Sequence, residues 1–133
     1  MMNKKEPKHC LNCDKILSDR SSIYCSMKCL QEDKYKERIN KYLKGEIEGW
    51  TSKSVQLAIW LRRYIKEIRG SSCSKCGWDE KHSIDGKSLT EINHIDGDAK
   101  NCKLENLEVL CPNCHSKTTN FRARNKKSSR IRN

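Results

Sequence analysis

Apolar positions recur at helical spacing in two parts of the chain. Over 26–43, Leu30, Tyr35, Ile39, Tyr42 and Leu43 include i,i+4 and i,i+7 pairs, and Gly45 ends the pattern, so a first helix is expected there. Thr51 or Ser52 is a candidate cap for a second helix, in which Leu57, Leu61, Tyr64, Ile65 and Ile68 line one side and Gly70 is the stop. Trp50 and Trp60 read as packing groups. The pattern then changes: 88–95 reads as a strand, 96–103 as a turn or loop around Gly97, and 107–110 as a returning strand. Pro112 opens a last helix, with His115 and Thr119 one turn apart on one face. The expectation is a small α+β protein.

Composition adds that this fold needs help. Only 35% of the 133 residues are hydrophobic and there is one Phe, so the core is thin. Nine cysteines are available to reinforce it. The opening MMNKKEPKHC has no apolar signal core, and no stretch is long enough to span a membrane, which points to a cytoplasmic protein. In a reducing compartment, paired cysteines indicate metal sites rather than disulfides. Cys10 and Cys13 form a CxxC, followed after eleven residues by Cys25 and Cys29 as a CxxxC. That spacing fits a four-cysteine zinc ribbon or hairpin, with His9 as a weaker ligand candidate. Cys73 and Cys76 form another CxxC, as do Cys111 and Cys114 about 35 residues later; together they fit a second structural zinc with the intervening chain looped out. His115, next to Cys114, competes as an alternative ligand. Cys102 is left over and reads as a structural cysteine without a function.

The formal charge of +11 calls for a polyanionic partner. It is uneven. Residues 71–120 hold six basic against eight acidic side chains, whereas 121–133 hold six basic and none acidic. Segments 1–29 and 30–70 are also net positive. Arg62, Arg63, Lys66 and Arg69 on the second helix are phosphate-contact candidates, with a solvated basic face as the alternative. Arg122, Arg124, Lys126, Lys127, Arg130 and Arg132 in the tail carry the same two readings.

The looped-out insert contains NHIDGD, then LENLEVL, then LCPNCHSKT. These motifs resemble the HNH endonuclease family, especially small phage-encoded members with paired CxxC knuckles. His94, Asn106 and His115 fall on the letters of the motif. The likeness is strong over 73–121 and less specific before it. It implies a ββα-metal unit that hydrolyses DNA phosphodiesters with a divalent metal, in a chain of phage or mobile-element origin. The organisation expected is a zinc-binding segment over 1–29, a basic helical connection over 30–70, the nuclease unit over 71–121 and a basic tail over 122–133.

On this resemblance His94 is the general base, for which imidazole is suited by ionising near neutrality. Asn106 ties the loop between the strands and so orients His94. Asn93 and His115 hold the catalytic Mg²⁺ or Mn²⁺ on the phosphate. Asn93 departs from the Asp or His common there. Its neutral oxygen predicts weaker Mg²⁺ binding and a preference for Mn²⁺ or another softer ion. Asp96 and Asp98 fit Asx turns better than ligation. Thr119 stands where some relatives carry another metal-binding histidine. A monomer or weak dimer is expected, since one site makes one nick. The competing reading is a zinc-stabilised DNA-binding protein without catalysis, from which only His94, Asn106 and His115 discriminate.

Overall fold

The computed structural model describes residues 6–18 and 22–126. The chain divides into two compact units, Met1–Glu46 and Ile47–Asn133. The helical stretch expected over 30–70 is therefore shared between them, one helix to each.

In the first unit, α1 spans Met27–Leu43. Ser26 caps it, its hydroxyl accepting from the Cys29 backbone N–H at 3.2 Å. Capping thus places Cys29 in the first turn, beside Cys25. The CxxC side is a tight turn: the Cys10 N–H donates to Lys15 O, the Asp14 N–H donates to Cys10 O, and Asp14 has φ 63°. A single bridge, His9 to Ile16, closes it.

The same turn recurs three times in the second unit. It has one bond from N–H of i to C=O of i+5, a second from N–H of i+4 to C=O of i, and a positive φ at i+4. It occupies 51–56, 73–78 and 82–87, with Val55, Gly77 and Gly86 at the positive-φ position. Bridges Trp50 to Leu57 and Lys81 to Ser88 flank two of the copies. The copy at 51–56 changes the expected helix boundary. The Thr51 N–H donates to Gln56 O and its carbonyl accepts from Val55, so the chain turns back over 51–56 rather than entering a helix there. α2 starts instead after Ala58 and spans Ile59–Arg69.

On α2, Leu61 and Ile65 are fully buried and Leu57 lies buried just before the helix, as the apolar stripe predicts. Ile68 departs from it at 49% exposed. The basic residues at the end of α2 turn towards the segment over 90–107. Arg69 donates to the carbonyls of Leu104, at 2.7 Å, and Leu107, while Lys66 Nζ reaches Thr90 O at 3.4 Å.

β1 (Glu91–His94) pairs antiparallel with β2 (Leu107–Leu110), Asn93 opposite Glu108 and His94 opposite Leu107. β1 is shorter than the strand expected over 88–95. Thr90 takes its hydroxyl to Ser71 O and its carbonyl to Lys66, which removes it from the ladder. A 3₁₀ turn over Leu104–Asn106 leads into β2. α3 covers only Pro112–Ser116, so Thr119 is not on the helix. Bonds from the Lys117 N–H to Cys114 O and from the Thr118 N–H to His115 O tighten and end it. Cys73, Leu110 and Cys111 form a buried cluster, with Trp78 and Cys114 packed against it. Among the described residues, no helix is long and apolar enough to cross a membrane.

Gly97 sits at φ 79°, and an added Cβ would lie 2.5 Å from Asn125 Oδ1 and 3.0 Å from Asn120 Cβ. Gly86 also has positive φ, at 67°, but open space around it. Gly86→Ala should cost only the left-handed backbone penalty, about 1–2 kcal/mol. Gly97→Ala should cost roughly 1 kcal/mol more, because it also displaces the asparagine contacts. Thermal melts of the two variants check this; equal shifts would show that Asn125 yields without cost.

Candidate active site

The site begins with the loop that joins the two strands. Asn106, at the end of the 3₁₀ turn, is 8% exposed, and both ends of its carboxamide are used. Nδ2 donates to Asn101 O at 2.7 Å and to Asp96 Oδ1 at 2.9 Å, while Oδ1 accepts from the Asp96 N–H at 3.0 Å. Its backbone carbonyl accepts from the Ile95 N–H at 2.8 Å. One side chain thus holds both arms of the loop that follows His94. Asp96 and Asp98 have the Asx-turn role, accepting from the N–H groups of Asp98 and Lys100. Burial works against the Asp96 charge, but hydrogen bonds from Asn101, Asp98 and Asn106, with a contribution from His94, hold its carboxyl below the ordinary range.

His94 is the last residue of β1 and only 8% exposed, so it is not an ordinary surface histidine. Its carbonyl accepts from the Gly97 N–H at 3.0 Å and from Asn120 Nδ2 at 3.0 Å. Asn120 also donates to Ile95 O, and Asn125 Nδ2 donates to Gly97 O at 2.7 Å. The segment after α3 is thereby pinned to the end of β1. The His94 ring nitrogen Nε2 lies 3.6 Å from Cys102 Sγ.

Alternation along β1 sends Glu91 and Asn93 to one face and Ile92 and His94 to the other. Asn93 Nδ2 donates to Glu108 Oε1 at 3.0 Å, which leaves the amide oxygen Oδ1 as its acceptor end. His115 Nδ1 lies 2.7 Å from Glu91 Oε2, and its ring meets Phe121 edge-on at 5.1 Å. With Nδ1–H donated to the carboxylate, Nε2 carries the lone pair a metal needs. Asn93 and His115 thus make contacts to glutamates on the same face. Sequence reasoning passed over Glu91, Glu108, Asn120 and Asn125. Period-two alternation from Asn93 could have flagged Glu91, whereas nothing local marks the two asparagines.

The four sulfurs of Cys10, Cys13, Cys25 and Cys29 lie within 4.8 Å of one another, as do those of Cys73, Cys76, Cys111 and Cys114. Separations of 3.5 Å for Cys13–Cys25 and Cys25–Cys29, and 3.7 Å for Cys76–Cys111, approach the ~3.8 Å edge of a tetrahedron around zinc. In each cluster burial opposes ionisation of the first cysteine, yet backbone N–H donors bring Cys10 and Cys73 to about 6. Donating hydrogen bonds to the sulfurs of Cys29 and Cys13 pushes Cys25 up to about 12, and donating to Cys111 and Cys76 does the same to Cys114. Four thiols this close cannot all ionise without a cation, and a dication removes that conflict. Neither cluster includes His9 or His115.

Of the basic candidates, Arg62 and Arg63 are exposed, and Arg63 pairs with Glu67 at 2.7 Å. Lys66 and Arg69 face hairpin carbonyls, and burial followed by repulsion from Arg62 and Lys81 lowers the Lys66 amine from its usual range. Arg122 stacks over Phe121 at 4.9 Å, and Arg124 and Lys126 are exposed. Lys127, Arg130 and Arg132 lie outside the described residues.

Comparison with known proteins identifies the family. The profile described as HNH endonuclease matches residues 73–121. A probable HNH endonuclease of Lactococcus phage SK1 is 32% identical over 82 residues, covering 59% of this chain and 83% of that relative. No solved structure matches the chain. The matched segment begins at the Cys73 knuckle and contains Asn93, His94, Asn106 and His115; the chain belongs to the HNH endonuclease family.

Proposed function

We propose that the chain is a metal-dependent endonuclease that hydrolyses DNA phosphodiester bonds, with His94 as general base. The observation that carries this reading is the Asn106 hub. A zinc-stabilised DNA-binding module has no need of a buried carboxamide that fastens the loop after a histidine, whereas a base must be held in place to act. His94 accepts a proton from the attacking water. Asn106 maintains the loop that orients it.

Asn93 Oδ1 and His115 Nε2 are the groups that would hold the divalent ion, with Glu91 orienting His115 and the Glu108 carboxylate adding negative charge beside Asn93. An amide oxygen and an imidazole fit an ion that accepts mixed N and O ligands, so Mn²⁺ should serve at least as well as Mg²⁺. When bound, the ion would supply charge stabilisation to the phosphorane-like transition state and to the leaving oxygen.

The two four-cysteine clusters are structural zinc sites on this reading, since four thiolates leave no open coordination position. DNA affinity comes from the basic flanks rather than the nuclease unit. Arg62, Arg63, Arg122, Arg124 and Lys126 are the described residues best placed to meet phosphates, and Lys66 and Arg69 combine any such contact with holding the hairpin.

Three measurements test these assignments. Purified chain should nick or cut supercoiled plasmid with Mg²⁺ or Mn²⁺ and stop in chelator, while His94→Ala loses at least about 100-fold in rate and still binds DNA. Normal cutting by that variant would remove His94 from the role of base. Elemental analysis should return about two zinc ions per chain. Deleting residues 122–133 should weaken DNA binding and flatten its dependence on salt; an unchanged salt slope would place the contacts elsewhere.

A further inference from the structure

The ninth cysteine lies outside both metal clusters, and the fold brings it to His94. Cys102 is 4% exposed, in the loop between β1 and β2. Its Sγ donates to Ala99 O at 3.3 Å and lies 3.6 Å from His94 Nε2. A thiol has one proton. With that proton on the Ala99 carbonyl, the sulfur can only accept from the histidine, so Nε2 must carry hydrogen and Nδ1 the lone pair. We propose that Cys102 is a positioning residue that fixes His94 in the Nε2–H tautomer, leaving Nδ1 as the nitrogen that takes the proton from water.

The loop around the thiol is itself fastened. The Cys102 N–H donates to Lys100 O at 3.1 Å, and the preceding residue, Asn101, gives its carbonyl to Asn106 Nδ2 at 2.7 Å and its amide to Asp96 at 2.7 Å. Asn106 therefore reaches the His94 ring through Asn101 and Cys102, besides holding its backbone. The sulfur meets the His94 ring at Nε2, whereas the His115 ring is held at Nδ1 by the Glu91 carboxylate. The catalytic consequence rests on the nuclease reading above, but the tautomer does not.

The test pairs long-range ¹H–¹⁵N correlation spectra of histidine-labelled, zinc-loaded protein with plasmid cleavage. Wild type and the conservative variant Cys102→Ser should both show His94 protonated on Nε2. Cys102→Ala should shift population to the Nδ1–H form and lower kcat about tenfold, with KM for DNA and zinc content unchanged and with activity largely kept in Cys102→Ser. His94 found in the Nδ1–H form in wild type overturns the proposal. So does a fall in kcat in Cys102→Ala with no change of tautomer, which would make the thiol a packing group only. A wild-type protein that fails to cut sinks the nuclease reading on its own, and the spectra still decide whether Cys102 sets the ring.

Discussion

One carboxamide holds the loop between β1 and β2 together. Asn106 satisfies Asn101 O and Asp96 Oδ1 with its two N–H bonds and accepts the Asp96 N–H with its oxygen. A loop that doubles back over a histidine leaves backbone groups turned away from the strand ladder, and buried groups of this kind cost about 1–3 kcal/mol each when unpaired. Concentrating their partners on one rigid amide makes the loop a single unit. Asn120 and Asn125 do the same from the other side, gripping the carbonyls of His94, Ile95 and Gly97. Among the described residues no buried side-chain N or O lacks a hydrogen-bond partner. The loop is thus held largely by asparagines, which fix its shape without adding charge of their own.

Charge is assigned elsewhere. The face that presents Asn93 and His115 carries Glu91 and Glu108, and the basic residues are mostly in the flanks. On the function proposed above, a polyanion must come to a centre that would also hold a cation, and excess positive charge at that centre would compete with the ion. Arg69 and Lys66 show a further economy: their long side chains reach hairpin carbonyls, so the helix that supplies positive charge also braces the strands.

Much of the architecture was legible in the sequence because it depends on local chemistry. The CxxC spacings identify both clusters, Pro112 marks the start of α3, and the apolar run over 107–110 is β2. Features set by distant partners were not legible. Thr51 and Ser52 look like helix caps, but they lie in the turn over 51–56, closed through the Thr51 backbone. The strand expected over 88–95 loses Thr90 to Ser71 and Lys66, and Thr119 falls beyond a helix that ends after five residues. Cys102 reads as a spare cysteine in one dimension, since its neighbour His94 lies eight positions away across a folded loop. The motif letters gave the candidate residues, and only the fold supplied Glu91, Glu108, Asn120 and Asn125 around them.

The tight turn that occurs four times bears on what the cysteine clusters contribute. Two copies carry CxxC, at 10–15 and 73–78; two, at 51–56 and 82–87, have no cysteine and still close with the same pair of backbone bonds. The turn therefore forms without a metal. What the second cluster adds, with a metal bound, is a tether between Cys76 and Cys111, 35 positions apart, with the whole β1–β2 hairpin in the enclosed segment. Closing a loop of that length before folding removes conformational entropy from the unfolded chain, an effect worth about 3–4 kcal/mol for a comparable covalent link. A metal held there does the work of a cross-link without a disulfide, and a chain with one phenylalanine gains a braced hairpin in place of a larger core.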